Sequence, residues 1–87
     1  MTEIIKKAWP EFFEKILSGE KRFELRLADF EVKEGDILIL REYNPVKKEF
    51  TGRKIRKVVG NVVHVNPTKM YSLDEIEAHG FNIIELK

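Results

Sequence analysis

The segment that most constrains this chain is DILILREY, Asp36 to Tyr43. It follows the turn sequence KEGD at Lys33 to Asp36, and its first half is apolar on both faces. A strand of that kind belongs at the centre of a sheet, where both faces are covered. Other segments offer it neighbours. Glu3 to Lys7 reads as a short strand around Ile4 and Ile5. Arg22 to Leu27 alternates with period two, so Phe23, Leu25 and Leu27 point one way and Arg22, Glu24 and Arg26 the other. A polar hairpin loop over Asn44 to Gly52 leads into RKIRKVVGNVVHV, a long third strand in which Gly60 predicts a bulge or sharp bend. A bend there lets a small sheet curl toward a barrel.

Two helices complete the order. Pro10 suits a first helical turn, where its missing N–H costs nothing. Glu11 and Glu14 lie toward the positive end of that helix and Lys15 toward the negative end. Phe12, Phe13, Ile16 and Leu17 make an apolar stripe, and Gly19 supplies a left-handed cap. A second short helix starts at SLDE, where Ser72 and Glu75 have capping-box spacing, and Gly80 ends it. FNIIEL then predicts a closing strand. The resulting order, β-α-β-β-β-α-β, is α+β: a curled β-sheet or β-barrel with two short helices at its ends.

With 87 residues and no repeat or linker, residues 1–87 form a single domain. A domain of this size buries only ~60–65% of its unfolded surface, so it has one small core. The absence of cysteine removes disulfides, thiolate metal sites and cysteine nucleophiles. The start, MTEIIKKAWPEFF, has no apolar run of signal-peptide type, and nothing approaches the ~18 apolar residues of a membrane span. These features predict a soluble, cytoplasmic protein. The 36% charged fraction exceeds the usual ~25%, and glutamine is missing while Lys and Glu abound, a thermophile-like composition.

Few chemistries fit the polar residues. His64 and His79 are the only histidines, zinc sites want three or four N, S or O ligands, and His79 suits a helix C-terminus, so neither a metal nor a cofactor is expected. No G-x-S-x-G elbow or glycine-rich phosphate loop is present. Lys47, Lys48, Arg53, Lys54, Arg56 and Lys57 surround one hairpin, with Tyr43 and Phe50 nearby. They form either a patch that follows a phosphate backbone and stacks a base, or a solvated edge that discourages sheet-to-sheet association. The pI of 8.0 is lower than the >9 usual for nucleic-acid domains. Trp9 is a staple against the core or a stacking surface, and Phe12, Phe13, Phe23 and Phe81 are expected in the core.

The stretch LSGEKRFELR, Leu17 to Arg26, carries the sharpest signal. Glu24 and Arg26 are two apart and share a strand face, with Lys21 at its mouth. A carboxylate and a guanidinium so held read the donor and acceptor edge of a base, and Arg offers a planar fork to phosphate. Lys21, if desolvated beside Arg22 and Arg26, is a candidate base. The plainer alternative is a solvent-facing ladder of ion pairs, each worth well under ~1 kcal/mol.

Gly19, Lys21, Glu24 and Arg26 stand as G-x-K-x-x-E-x-R, which resembles the signature of ASCH domains, relatives of the PUA fold. WPEFFEKILSGEKRFELR, GDILILREYNP and FTGR at Phe50 to Arg53 resemble a small ASCH-like family of unknown function, DUF3850. The resemblance covers roughly Ile5 to Val65. It implies a PUA-like β-barrel with a helix beside a cleft, and RNA or a nucleotide-like ligand bound there by Lys21, Glu24 and Arg26, with Gly19 as the presenting turn. Arg41, Tyr43 and Arg53 match the smaller family without an assigned role. One branch of the superfamily deacetylates N4-acetylcytidine, with a lysine activating a threonine. An alternative reading is therefore a small amidohydrolase acting on a modified nucleoside, with Lys21 as base. Glu24 stands where that threonine would be, and a carboxylate is a poor substitute for an attacking hydroxyl.

Overall fold

A computed structural model describes residues 2–84 and 86. Four elements set the frame: β1 (Glu3–Ala8), α1 (Pro10–Leu17), β2 (Ile37–Asn44) and β3 (Glu49–Val58). A single-turn 3-10 helix (Pro67–Lys69) and α2 (Leu73–His79) follow. Among the described residues the sheet has three strands in the order β1-β2-β3 and is open. DILILREY is central, as its two-sided apolar pattern predicts. β1 runs parallel to β2, which requires a long crossover, and α1 lies within it. β3 returns antiparallel.

α1 begins at Pro10 with Trp9 as N-cap and ends at Leu17 with Ser18 as C-cap, after which Gly19 takes φ 86°, the left-handed conformation its cap needs. Phe13 and Ile16, three apart, press onto Leu40, Ile55 and Ala8, with Leu38 packed alongside. Phe13 and Leu40 are each only 1% exposed and form the centre of the core. Phe12 and Leu17 do not join them. Adjacent helical residues differ by about 100° in direction, so Phe12 and Phe13 cannot both face one sheet. α2 carries the expected capping box: the Ser72 hydroxyl accepts from the Glu75 N–H and the Glu75 carboxylate accepts from the Ser72 N–H.

Asp36 fastens one end of the sheet. Its carboxylate accepts from the Thr2 N–H at 3.1 Å and the Lys33 N–H at 3.0 Å, while its carbonyl accepts from the Val59 N–H. The KEGD turn therefore ties the N-terminal segment to the end of β3.

Three expectations about strands change. Arg22 to Leu27 is not part of the sheet. Its apolar set stays exposed, and the contact with β1 runs through the Arg26 side chain, which donates to the Lys7 carbonyl. β3 ends at Val58, so Gly60 lies beyond it, and Val59 to Asn66 forms no regular element. Phe81 to Ile84 forms none either, and Glu85 of the expected closing strand lies outside the described residues. The sheet does not close into a barrel among the described residues.

The hairpin is also tighter than its polar sequence suggests. β2 continues to Asn44, whose side-chain oxygen accepts from the Val46 and Lys47 N–H groups, and β3 starts at Glu49. The irregularity predicted at Gly60 falls instead at Gly52. Arg41 pairs with Lys54 and Tyr43 with Phe50, so Thr51, Gly52 and Arg53 stand opposite Glu42 alone. Gly52 has φ 95°, which makes this bulge available to glycine.

Candidate functional site: an ion-paired cleft between the first helix and the signature segment

The Gly19 turn directs the chain back along α1. The Lys21 N–H donates to the Lys15 carbonyl at 2.9 Å, which anchors Lys21 beneath the helix end. From there Lys21 Nζ reaches Glu24 Oε1 at 3.0 Å, and Arg26 Nε reaches Glu24 Oε2 at 2.9 Å. Arg26 Nη2 donates in turn to the Lys7 carbonyl. The three residues form one chain of charge-assisted hydrogen bonds, with both Glu24 oxygens engaged. Lys21 and Glu24 side chains retain only 16% and 19% of their exposure, so this is more than a solvated ladder. Lys21 Nζ lies 5.4 Å from the Phe12 ring centre and 5.3 Å from that of Phe23, within cation–π range of both.

These residues line a cleft of about 480 Å³ that also includes Trp9. Its size falls within the ~300–1,000 Å³ usual for small-ligand sites. Trp9, Phe12 and Phe23 are therefore cleft residues with exposed ring surface, not core, and Phe81 is exposed too. A second opening, about 310 Å³, shares Leu25 and Arg26 with the first and includes Lys6 and Phe30. Lys6 Nζ lies 3.7 Å from the Phe30 ring centre.

The basic residues of the hairpin have different surroundings. Arg53 turns under α1, where it bonds Glu42 through Nε at 3.1 Å, pairs with Glu14, and lies 4.8 Å from the Phe13 ring centre. Thr51 Oγ1 donates to the same Glu42 oxygen at 2.6 Å. Arg56 pairs with Glu3 at 2.6 Å. Lys47 and Lys48 sit exposed in the hairpin turn. Lys54 lies across from Arg41 on the sheet face away from Leu40 and Ile55, as does the Tyr43–Phe50 pair.

Glu42 went unremarked in the sequence. It is 6% exposed, and its signal is the alternation Leu38, Leu40, Glu42, which places a carboxylate on the core-facing side of a central strand. FTGR thereby acquires a role: Gly52 makes the bulge, and Thr51 and Arg53 satisfy Glu42 through it.

The Thr51 hydroxyl and the Arg53 guanidinium hold the Glu42 carboxyl below the usual range, and the Thr2 and Lys33 N–H groups do the same for Asp36. A carboxyl lowered in the folded state stabilises the fold above its unfolded value, and that contribution is lost as pH falls through the folded value. Stability in urea should thus hold steady through the neutral range and drop below about pH 4. Glu42→Gln should flatten the drop; an unchanged acid limb would exclude Glu42 as a source.

Among the described residues no group of three or more His, Asp or Glu is placed to hold a metal ion. No helix there is long and apolar enough to cross a membrane.

Residues 5–81 match the model of the domain of unknown function DUF3850. The chain belongs to this family. This DUF3850 chain is similar to an uncharacterised 12.9 kDa protein encoded in the GpA 3′ region of Escherichia phage P2, at 37% identity over 60 residues. That alignment takes in 69% of this DUF3850 chain and 53% of the phage protein, so the chain matches about half of its relative's length. No solved structure matches the chain.

Proposed function

We propose that this DUF3850 domain is an RNA- or nucleotide-binding module that receives a base in the cleft lined by Lys21, Glu24 and Arg26. The observation that carries the reading is the Lys21–Glu24–Arg26 ion-pair chain on the wall of a cleft with exposed aromatic rings. Arg26 commits Nε and Nη2 within the protein, which leaves Nη1 donors for a base edge. Trp9, Phe12 and Phe23 supply ring surfaces on which a base can stack, and Lys47 and Lys48 add positive charge at the hairpin turn. The relationship to ASCH and PUA-like domains belongs to the same reading, supported by Lys21, Glu24 and Arg26 of G-x-K-x-x-E-x-R lining a cleft beside α1. The amidohydrolase alternative has less behind it, because Glu24 is held between two cations in the place where an attacking hydroxyl is needed.

The test is an NMR titration of 15N-labelled protein with a short mixed-sequence RNA, then with cytidine and N4-acetylcytidine. Shifts should cluster from Gly19 to Arg26, and Arg26→Ala should weaken binding about tenfold or more, the scale of a broken charge-assisted hydrogen bond. A folded protein whose Lys21, Glu24 and Arg26 signals stay still with every probe would sink the proposal. Conversion of N4-acetylcytidine that disappears in Lys21→Ala would favour the enzyme instead.

A further inference from the structure

The sheet face opposite α1 carries a feature outside the Lys21–Glu24–Arg26 chain of the cleft. Lys7 pairs with Arg41, and Arg41 pairs with Lys54, so three cations stand in one row across all three strands. Like charges directly opposite one another repel and destabilise a sheet. Among the described residues no carboxylate pairs with them. Glu3 is paired with Arg56, and Glu42 is paired with Arg53 on the other face. Beside the row lie Tyr43 and Phe50, edge to face with ring centres 5.1 Å apart. Lys7 Nζ sits 4.3 Å from the Tyr43 ring centre, and the Arg41 guanidinium 4.0 Å from that of Phe50. The rings soften the repulsion but carry no charge to cancel it. Lys7, Arg41, Phe50 and Lys54 are exposed.

Charge in the cleft is arranged differently. Glu24 answers both Lys21 and Arg26, so that site suits a base better than a phosphate. Lys7 joins the two places: its carbonyl receives Arg26 at the cleft, and its ammonium lies over Tyr43 on the sheet face. We infer that this face is a landing surface for single-stranded RNA, with Lys7, Arg41 and Lys54 meeting phosphates and Phe50 stacking a base, while the same strand places another base in the cleft. The inference rests on the cleft reading and names its ligand as a polynucleotide instead of a free nucleotide. Aromatic surface beside a cation row favours a strand with unpaired bases over a duplex or an acidic peptide.

The experiment is fluorescence anisotropy with a fluorescein-labelled ten-nucleotide mixed-sequence single-stranded RNA, across a salt series. The Arg41→Gln/Lys54→Gln double variant changes only exposed side chains. It should lower the slope of log affinity against log salt by about 1.4, roughly 0.7 for each phosphate that is no longer neutralised. Phe50→Ala should weaken binding about tenfold. Cytidine-induced shifts at Gly19 to Arg26 should persist in both variants. Full RNA affinity and slope in the double variant would overturn the landing surface and leave the cleft standing. RNA binding that depends on Arg41 and Lys54 without any nucleoside response in the cleft would uphold the surface and remove the cleft reading. A DNA decamer or a glutamate decapeptide that binds as tightly as the RNA would overturn RNA as the occupant.

Discussion

Phe13→Ala is expected to lower stability by about 4 kcal/mol, the scale for emptying a buried phenylalanine site in a core. A domain of 87 residues has a total stability on the order of 4–13 kcal/mol, so the variant should lose roughly a third or more of it. The melting temperature should fall by roughly 15–30 °C. Two features make the loss large. Phe13 is 1% exposed and touches both sides of the small core, namely α1 and the β2–β3 pair. Its ring also lies under the Arg53 guanidinium, so the cavity would open beneath a charged group. Phe12 provides the contrast on the same helical turn. With much of its ring already in solvent, Phe12→Ala should cost about 1 kcal/mol. Urea denaturation of both variants checks this, and equal losses would contradict the described orientation of α1.

The second large effect is expected at Glu42. Glu42→Ala removes the acceptor for Thr51 Oγ1 and for Arg53 Nε in a nearly buried position. A loss of about 2 kcal/mol should follow, since the Thr51 hydroxyl and Arg53 Nε lose their acceptor and Arg53 keeps only its pairing with Glu14. The bulge at Gly52 delivers those two donors, so β3 amides from Phe50 to Lys54 should also exchange faster with deuterium. Response of the cleft to nucleosides should survive, because Glu42 bonds Thr51 and Arg53 and takes no part in the Lys21–Glu24–Arg26 chain. A variant as stable as the parent would show that the network contributes nothing net.

Local signals were the ones legible from residues alone. Pro10, Gly19, Ser72, Glu75 and Gly80 act within a few residues of themselves, and both helices start and stop where those residues place them. The centrality of β2 was equally plain, because Ile37 to Leu40 leaves no polar face. Arg22 to Leu27 misled for a physical reason. Period-two alternation describes a strand only if a neighbour supplies ladder partners, and here the adjoining margin of β1 meets a side chain instead. Closure of the sheet is a long-range property of the same kind. In the site, spacing placed Lys21, Glu24 and Arg26 together, yet whether Glu24 and Arg26 face each other depends on side-chain orientation. Arg53 was named among the basic residues, but its pairing was beyond reach, since one of its partners, Glu14, lies 39 residues away in sequence.

The bond from Arg26 to the Lys7 carbonyl has a bearing on self-association. β1 is a margin of the sheet, and a margin strand offers its backbone to any other strand that arrives. A guanidinium seated on that backbone obstructs such an arrival with a bulky, hydrated cation. Arg26, proposed above for base recognition, thus also guards the protein against adding copies of itself edge to edge. Removing it opens both doors together, so lost recognition and new oligomers belong to one substitution and are separated only by measuring mass alongside binding.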